Sequence, residues 1–213
     1  PIPNPGSIPE NAIMAPWEDK NPALGGSITY GTIGVAPNRK FIVTWCEVPM
    51  FSCNTQIHTS QVILHEGSDK IEMFIQNKSV CTAWNSGAAI QGLVDATSTN
   101  FDIVVDPILL AERNFPLQWT AVNEGWEFLP NNPTSYTINQ IPYVQIVAGL
   151  VNWYNDPGLT NFLGSGPTLP ININTTGIFT YYAQVSGGCS PISLVDDVTI
   201  NFDVSCCDYA GDN

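Results

Sequence analysis

The fold of this chain is decided between residues 41 and 75, which begin with the run Phe41-Ile42-Val43-Thr44-Trp45. Successive side chains of a β-strand point to opposite faces of the sheet. Large apolar side chains occupy both faces of this run, so the run predicts a strand that is packed on both sides. We therefore expect it to be a central strand of a β-sandwich.

Two further apolar runs predict a hairpin beside that strand. In a strand, Val62 and Leu64 share one face of the first run, and Ile71, Met73 and Ile75 share one face of the second. Between them lie Gly67-Ser68-Asp69, which are residue types that favour turns. These local patterns predict an all-β protein.

Length and composition predict two modest domains. The chain has 213 residues, and the commonest domain size is roughly 100 to 150 residues. Hydrophobic residues make up 44% of the chain, which is enough for real cores. Charged residues make up 12%, well below the roughly 25% of ordinary soluble proteins. We therefore expect a mostly neutral, polar surface.

The charge balance excludes one class of partner. Six Lys and Arg residues face 19 Asp and Glu residues, and the formal net charge is -13. The cations are scattered along the chain, whereas a nucleic-acid interface needs them clustered. No apolar run approaches the roughly 18 residues that span a bilayer. We expect no nucleic-acid partner and no membrane insertion by this segment, which we interpret as part of a longer precursor.

Several short motifs follow one another in the first half of the chain. They are Trp17-Glu18-Asp19, Ala36-Pro37-Asn38-Arg39, Val48-Pro49, the segment from Thr59 to Gly67, and Arg113-Asn114 before Gln118-Trp119. Their order resembles the nidogen-like domain that occurs in large surface proteins of gliding Bacteroidota. That resemblance implies a β-sandwich.

The second half of the chain carries a different set of motifs. They include the segment from Leu150 to Tyr154, the segment from Thr175 to Gln184, and Gly187-Gly188-Cys189. These are similar to the immunoglobulin-like repeats of secreted Bacteroidota proteins. The segment from Asp208 to Asn213 resembles the opening of a further repeat.

The predicted domain organisation follows from these boundaries. Residues 1–12 are rich in proline and are expected to form a linker. Residues 13–133 are expected to form the nidogen-like β-sandwich and to end at a linker, Pro130-Asn131-Asn132-Pro133. Residues 134–205 are expected to form an immunoglobulin-like β-sandwich, and residues 206–213 begin a following repeat or linker.

Six cysteines indicate an oxidising compartment, although their spacing does not fix the pairing. Cys53 and Cys81 lie in loop-like stretches that flank the same hairpin, so we predict a disulfide between them. Cys46 lies in the strand pattern and is interpreted as a buried free thiol. The second predicted disulfide joins Cys189 to Cys206, with Cys207 as the alternative partner for Cys189 or as a link to another part of the parent protein.

The sequence predicts no catalytic residue. It contains none of the common nucleophile, zinc-protease, phosphate-loop or dinucleotide motifs. His58 and His65 are the only imidazoles, and His65 lies within a strand pattern. Glu124 and Glu127 flank Trp126, an arrangement that resembles a glycosidase pair, but alternating aromatic residues in that segment are typical of a sandwich core, which is the interpretation that we adopt.

The acidic loops are candidate calcium-binding sites. Carboxylate oxygens are the ligands that Ca²⁺ prefers, and none of the candidate segments is an EF-hand loop. The candidates are Asp95, Asp102, Asp106, Asp208 and Asp212. The alternative interpretation is that these carboxylates are solvated turn residues.

The family resemblance implies a function in adhesion. It implies a non-enzymatic segment of a secreted cell-surface adhesin, exported by the type IX system and acting in adhesion or gliding motility. The expected partners are a surface polysaccharide or another extracellular ligand, and the outer-membrane secretion and motility machinery through the parent chain.

Two alternative functions remain open. One is a carbohydrate-binding accessory module of a secreted polysaccharide-degrading enzyme, and the other is a passive stalk spacer. Sugar rings stack on flat aromatic faces, so the candidate ligand-binding residues are Trp17, Trp84 and Tyr154. Each of these side chains could instead pack in a core.

Overall fold

The computed structural model describes residues 1–3, 11–33, 36–144, 146, 150–166, 168–186, 189 and 196–203. The chain divides into two compact units, Pro1–Ala148 and Gly149–Asn213.

The described residues form thirteen strands, joined by turns and two short 3₁₀ segments. The strands of the first unit are β1 (Ala12–Trp17), β2 (Ser27–Ile33), β3 (Lys40–Met50), β4 (Cys53–His65), β5 (Ile71–Lys78), β6 (Ile90–Val94), β7 (Phe101–Ile103), β8 (Ala121–Asn132) and β9 (Ser135–Ile141). Those of the second unit are β10 (Leu150–Tyr154), β11 (Phe162–Ser165), β12 (Gly177–Ser186) and β13 (Asp196–Phe202). This confirms the predicted all-β class. Across the described ranges, no helix is both long and apolar enough to cross a membrane.

The larger sheet of the first unit has six strands in the order β2-β3-β4-β5-β8-β9. Strand β3, which contains the run that opens at Phe41, lies between β2 and β4, which confirms its predicted central position, although Phe41 on one of its two apolar faces is 38% exposed. The predicted hairpin is formed by β4 and β5, with Leu64 opposite Ile71. Both predictions from local periodicity are confirmed.

The core of the first unit lies between this sheet and a three-stranded sheet of order β1-β6-β7. Val62, Met73 and Phe128 from the larger sheet pack with Ala15 and Leu93 from the smaller one. Burying each large apolar side chain contributes roughly 1.5 to 3 kcal/mol. The apolar cluster therefore holds the two sheets together as a sandwich.

The predicted linker over residues 1–12 is wrong at both of its ends. Ile2 is 2% exposed and packs with Met14, Ile90 and Val94. Its main chain is also clamped by Asn114, whose side chain accepts from the Ile2 N–H and donates to the Ile2 carbonyl. Strand β1 already begins at Ala12. The proline content of this segment does not reveal that the side chain of Ile2 packs in the core.

The predicted domain boundary at residues 133/134 also differs from the structure. Residues 130–133 are not a linker, because they form the end of β8 and a tight turn in which Asn132 pairs with Ser135. Strand β9 then completes the six-stranded sheet, and its Tyr136 and Ile138 pack against the core. The second unit begins at Gly149 instead. Pro and Asn are typical of hairpin turns as well as linkers.

The second unit contributes an antiparallel sheet of order β11-β10-β12-β13 within the described residues. Trp153 lies in β10, is half-buried, and donates its indole N–H to the carbonyl of Gly166 at 2.9 Å. This contact ties the central strand of the sheet to the end of β11.

The structure contains the predicted disulfide between Cys53 and Cys81. Cys46 is disulfide-bonded, so its interpretation as a free thiol is wrong. A place in a strand pattern does not reveal whether a thiol has a partner. Cys189 is also disulfide-bonded, while Cys206 and Cys207 lie outside the described residues.

Candidate functional site

A groove with exposed aromatic walls lies in the first unit, where β1 ends. Its volume is about 500 Å³, within the range of roughly 300 to 1,000 Å³ typical of small-molecule sites. Trp17, Trp84 and Phe115 line it and are 43%, 41% and 46% exposed. Asp19 and Asn85 lie beside them. We call this site the aromatic groove.

Trp17 reaches the aromatic groove because of an irregularity in β1. Met14 pairs with Gly92 and Trp17 pairs with Ile90, so β1 has one more residue than β6 over this stretch. Such a bulge re-aims the side chains that follow it. The indole of Trp17 therefore lies at the surface, although residues 14–16 just before it are buried.

Trp84 is held by its loop. The Cys53–Cys81 disulfide anchors the chain three residues before it, and the Gly87 N–H donates to the Trp84 carbonyl at 2.8 Å. The Trp84 ring meets Phe51 edge to face, with ring centroids 4.8 Å apart. The loop fixes the indole before any ligand arrives, which lowers the entropic cost of binding.

The backbone after Trp84 adopts an unusual conformation. Asn85 and Ser86 have φ values of 45° and 53°, and Gly87 has a φ of 75°. Left-handed conformations are costly for residues other than glycine and cluster at functional sites. The result is that the Asn85 amide stands at the rim of the aromatic groove, exposed beside Trp84.

The floor of the aromatic groove contains a buried carboxylate, Glu18. One of its oxygens lies 2.9 Å from Nδ1 of His58 and 3.6 Å from Nζ of Lys20, and the other lies 3.3 Å from Nζ of Lys78. Burial alone would raise the pKa of Glu18, but the close contact with His58 and the two lysine charges lower it to about 2. Glu18 is therefore ionised, and its charge is balanced inside the protein.

His58 and Ser60 extend this cluster into the core. Nε2 of His58 lies 2.7 Å from Oγ of Ser60, so Ser60, His58 and Glu18 have the order of a hydrolytic triad. Ser60 is only 1% exposed, however, and its hydroxyl has the Ala15 carbonyl as an acceptor at 2.9 Å. Burial lowers the pKa of His58 to about 4. The Ser60 hydroxyl is too deeply buried to be reached by a substrate. We therefore interpret these contacts as structural contacts that stabilise the sheet.

A second buried ionic cluster centres on Arg113. It donates to Asp106 at 2.9 Å, to Gln91 at 2.7 Å, and to Glu124 at 2.6 and 3.0 Å. Its guanidinium also lies 4.2 Å from the centroid of the Trp119 ring. Opposite charges and full hydrogen bonding are what make a buried cation tolerable.

Trp119 connects this cluster to the floor of the aromatic groove. Its indole N–H donates to the carbonyl of Ala89 at 2.9 Å, and Ala89 lines the groove. Its own carbonyl accepts from Lys78 at 2.9 Å. The buried charges thus fix the backbone beneath the exposed aromatic side chains.

Glu124 and Glu127 do not form a catalytic pair. They are three residues apart in β8, so their side chains point to opposite faces of the sheet. Glu124 accepts from Arg113 and from the Trp126 indole. Glu127 accepts from Asn139 on the neighbouring strand.

The three calcium candidates among the described residues accept hydrogen bonds from protein groups. Asp95 accepts from the main-chain N–H groups of Thr97, Thr99 and Asn100 and from the side chains of Thr97 and Asn100, which stabilise a turn. Asp102 accepts from the Tyr136 N–H, and Asp106 binds Arg113. Among the described residues, no group of three or more His, Cys, Asp or Glu side chains could hold a metal ion. Asp208 and Asp212 lie outside the described residues.

The structure thus brings two of the three predicted ligand-binding residues, Trp17 and Trp84, to one groove. Tyr154 lies in the second unit, where it is half-buried and meets Phe162 edge to face at 5.8 Å. Sequence reasoning missed Phe115 and Asn85. No local pattern marks them, because they join Trp17 only through the pairing of β1 with β6.

Comparison with known proteins gives one match. Neither a search of curated proteins nor a search of solved structures found a match to this chain. A family model described as NIDO related matches residues 1–137, more than half of the 213 residues. The chain therefore belongs to the NIDO-related family.

Proposed function

We propose that this chain is a non-enzymatic recognition segment of a large secreted cell-surface adhesin, acting in adhesion or gliding motility. A NIDO-related domain with disulfides is an extracellular module. The observation that carries the proposal is the aromatic groove, in which Trp17 and Trp84 are exposed on a rigid sandwich. Exposed aromatic side chains on a fixed scaffold are typical of recognition sites.

The proposed mechanism is mechanical and requires no chemistry. The sandwich presents Trp84 on a loop that a disulfide and the Phe51 ring hold in place. The parent protein carries this contact face to the cell surface. We propose that its export uses the type IX system and that the second unit is an immunoglobulin-like repeat in an array.

The non-enzymatic part of this proposal is supported by the burial of the polar groups that resemble a catalytic set. Ser60 is buried beside His58, and Glu18 is surrounded by three partners that stabilise its ionised form. A nucleophile must be reached by its substrate and activated by a base. The groups within the described residues that resemble such a pair lie beneath the aromatic groove rather than in it.

A second candidate function is a carbohydrate-binding accessory module of a polysaccharide-degrading enzyme. The same observation favours it, because exposed indoles stack on sugar rings. The two functions differ in the parent protein and in the role of binding. An adhesin holds the cell to a surface, whereas an accessory module raises the rate at which an attached catalytic domain cleaves its polymer.

The proposal is tested by adhesion of protein-coated beads to surfaces that carry polysaccharides, glycoproteins or unglycosylated protein. The assay is run with calcium and with a chelator. Retention on one class of surface that free protein competes away supports recognition. If the beads were retained on none of the surfaces, the chain would be a passive spacer and the proposal would be refuted.

A further inference from the structure

The aromatic groove has the composition of a saccharide site. The flat faces of Trp17 and Trp84 offer apolar surfaces on which the C–H faces of sugar rings can stack. Asp19 and Asn85 stand beside them, both exposed, and the side chains of both make no hydrogen bond to the described residues. A carboxylate accepts from hydroxyl groups, and an amide both donates and accepts. Apolar walls with a few placed polar groups are the usual design of a small-molecule site.

The charges in and around the groove select against anions. Its charged side chains among the described lining residues are Glu18 and Asp19. The nearest lysines, Lys20 and Lys78, have side chains that are 10% and 0% exposed and are bound to Glu18. An acidic sugar would meet Asp19, and no exposed lysine or arginine side chain stands among the described lining residues to compensate.

The charges also make a cationic ligand a poorer fit than a neutral one. The charge of Glu18 is already balanced by Lys20 and Lys78, so Glu18 adds little attraction for a further cation. The Asn85 amide would face a methylated ammonium group without a matching donor or acceptor. A polyhydroxylated, uncharged ligand can use every group in the groove.

We propose that the aromatic groove binds an uncharged saccharide, with Trp17 and Trp84 as stacking platforms and Asp19 and Asn85 as hydrogen-bonding groups. The inference rests on the proposed recognition function and names its ligand class. It places the site in the NIDO-related domain and does not involve calcium. The rigid Trp84 loop makes the site largely preformed.

The test uses the full chain on an array of neutral and acidic oligosaccharides, followed by calorimetric titration of the strongest neutral binder. We expect saturable binding to a neutral oligosaccharide that is weakened roughly tenfold or more in Trp17→Ala and in Trp84→Ala. Tyr30→Ala is the matched control, because Tyr30 is an exposed aromatic residue on β2 outside the groove. It should bind like the parent chain.

Two further variants separate the saccharide from a cation and from a folding defect. Asn85→Gly keeps the left-handed backbone while it removes the amide, and it should weaken binding with an unchanged thermal midpoint. Asp19→Asn keeps a hydrogen-bonding group without the charge, and it should keep most of the saccharide binding. A cation site would lose its ligand in Asp19→Asn.

Failure of the saccharide inference and failure of the proposed recognition function give different experimental results. Titration with tetramethylammonium is the competing probe. Binding of that cation with no binding of neutral saccharides would overturn the inference, and so would saccharide binding that folded Trp17→Ala and Trp84→Ala variants retain. In either case bead adhesion could still occur, and the proposed recognition function would stand. Loss of bead adhesion altogether would instead refute the function.

Discussion

Arg113 shows at the scale of one residue how this protein uses its few cations. Its side chain is 1% exposed, and it bridges Asp106 and Glu124 while covering the Trp119 ring. Removing one member of a buried ion cluster leaves its partners charged and unsolvated. The local sequence gives no hint of this role, because the partners come from separate segments of the chain.

We therefore predict that Arg113→Ala destabilises the protein by about 3 to 5 kcal/mol. Arg39→Ala is the matched control, since Arg39 pairs with Glu66 at the surface, where the two side chains are 52% and 30% exposed. The control should lose much less stability, because solvent screens an exposed ion pair. Urea unfolding of both variants measures the difference, and equal losses would contradict the buried cluster.

His58 predicts a particular dependence of stability on pH. Burial lowers its pKa from 6.5 to about 4 in the folded chain. Between those values the unfolded chain binds a proton that the folded chain does not, so stability falls as the pH decreases. The slope from this group is at most about 1.4 kcal/mol per pH unit.

The prediction is tested with His58→Gln, whose side chain does not titrate. The free energy of unfolding of the parent chain should fall more steeply than that of the variant between pH 6.5 and about 4. From the lower end of this window downwards, Glu18 adds a further loss as the pH falls from 4.5 towards about 2, because its folded-state pKa is lowered. Parallel curves for the two proteins through the His58 window would rule out this role.

At the scale of elements, the three-stranded sheet depends on the close approach of β6 to β7 at Gly92. A Cβ atom at Gly92 in β6 would lie 2.3 Å from the carbonyl oxygen of Asp102 in β7. Such a distance requires the two strands to separate, which would disturb Met14 and the core beneath the aromatic groove.

We predict that Gly92→Ala destabilises the protein by about 1 to 3 kcal/mol or more. Gly31→Ala is the control, because Gly31 lies in β2 with no atom within 4 Å of a new Cβ. Alanine there should be neutral or should stabilise by up to about 1 kcal/mol. Thermal and urea unfolding of the two variants provide the measurement, and a neutral Gly92→Ala would show that β6 and β7 can move apart at no cost.

The elements also show what sequence reasoning can reach. Strand β3 and the hairpin of β4 and β5 were predictable, because alternation and turn residues are local signals. The bulge that exposes Trp17 was not, since it depends on which strand β1 pairs with. The turn at residues 130–133 was misread for a related reason: only the packing of Tyr136 and Ile138 distinguishes a hairpin from a linker.

At the scale of the whole molecule, the scarcity of cations explains the character of the surface. Ion pairs occupy Lys20, Arg39, Lys70, Lys78 and Arg113. Three of these, Lys20, Lys78 and Arg113, are almost entirely buried. With a formal net charge of -13, the burial of three of the six cations leaves few of them to offset the acidic groups at the surface. A surface of this kind repels anionic polymers over distances of about a Debye length, which agrees with a neutral ligand for the aromatic groove.

The position of the domain boundary can be tested by truncation. The chain of residues 1–148 keeps β9, whereas residues 1–133 lose it together with the Tyr136 N–H that donates to Asp102. Loss of β9 uncovers the edge of β8 and part of the core, and exposed sheet edges favour aggregation. We predict cooperative unfolding for residues 1–148, and a lower thermal midpoint or aggregation for residues 1–133.

Both fragments lack residues 149–213, so any effect of the second unit cancels. If the shorter fragment unfolded at the same temperature, β9 would not belong to the folding unit, and the boundary read from the sequence would be the right one.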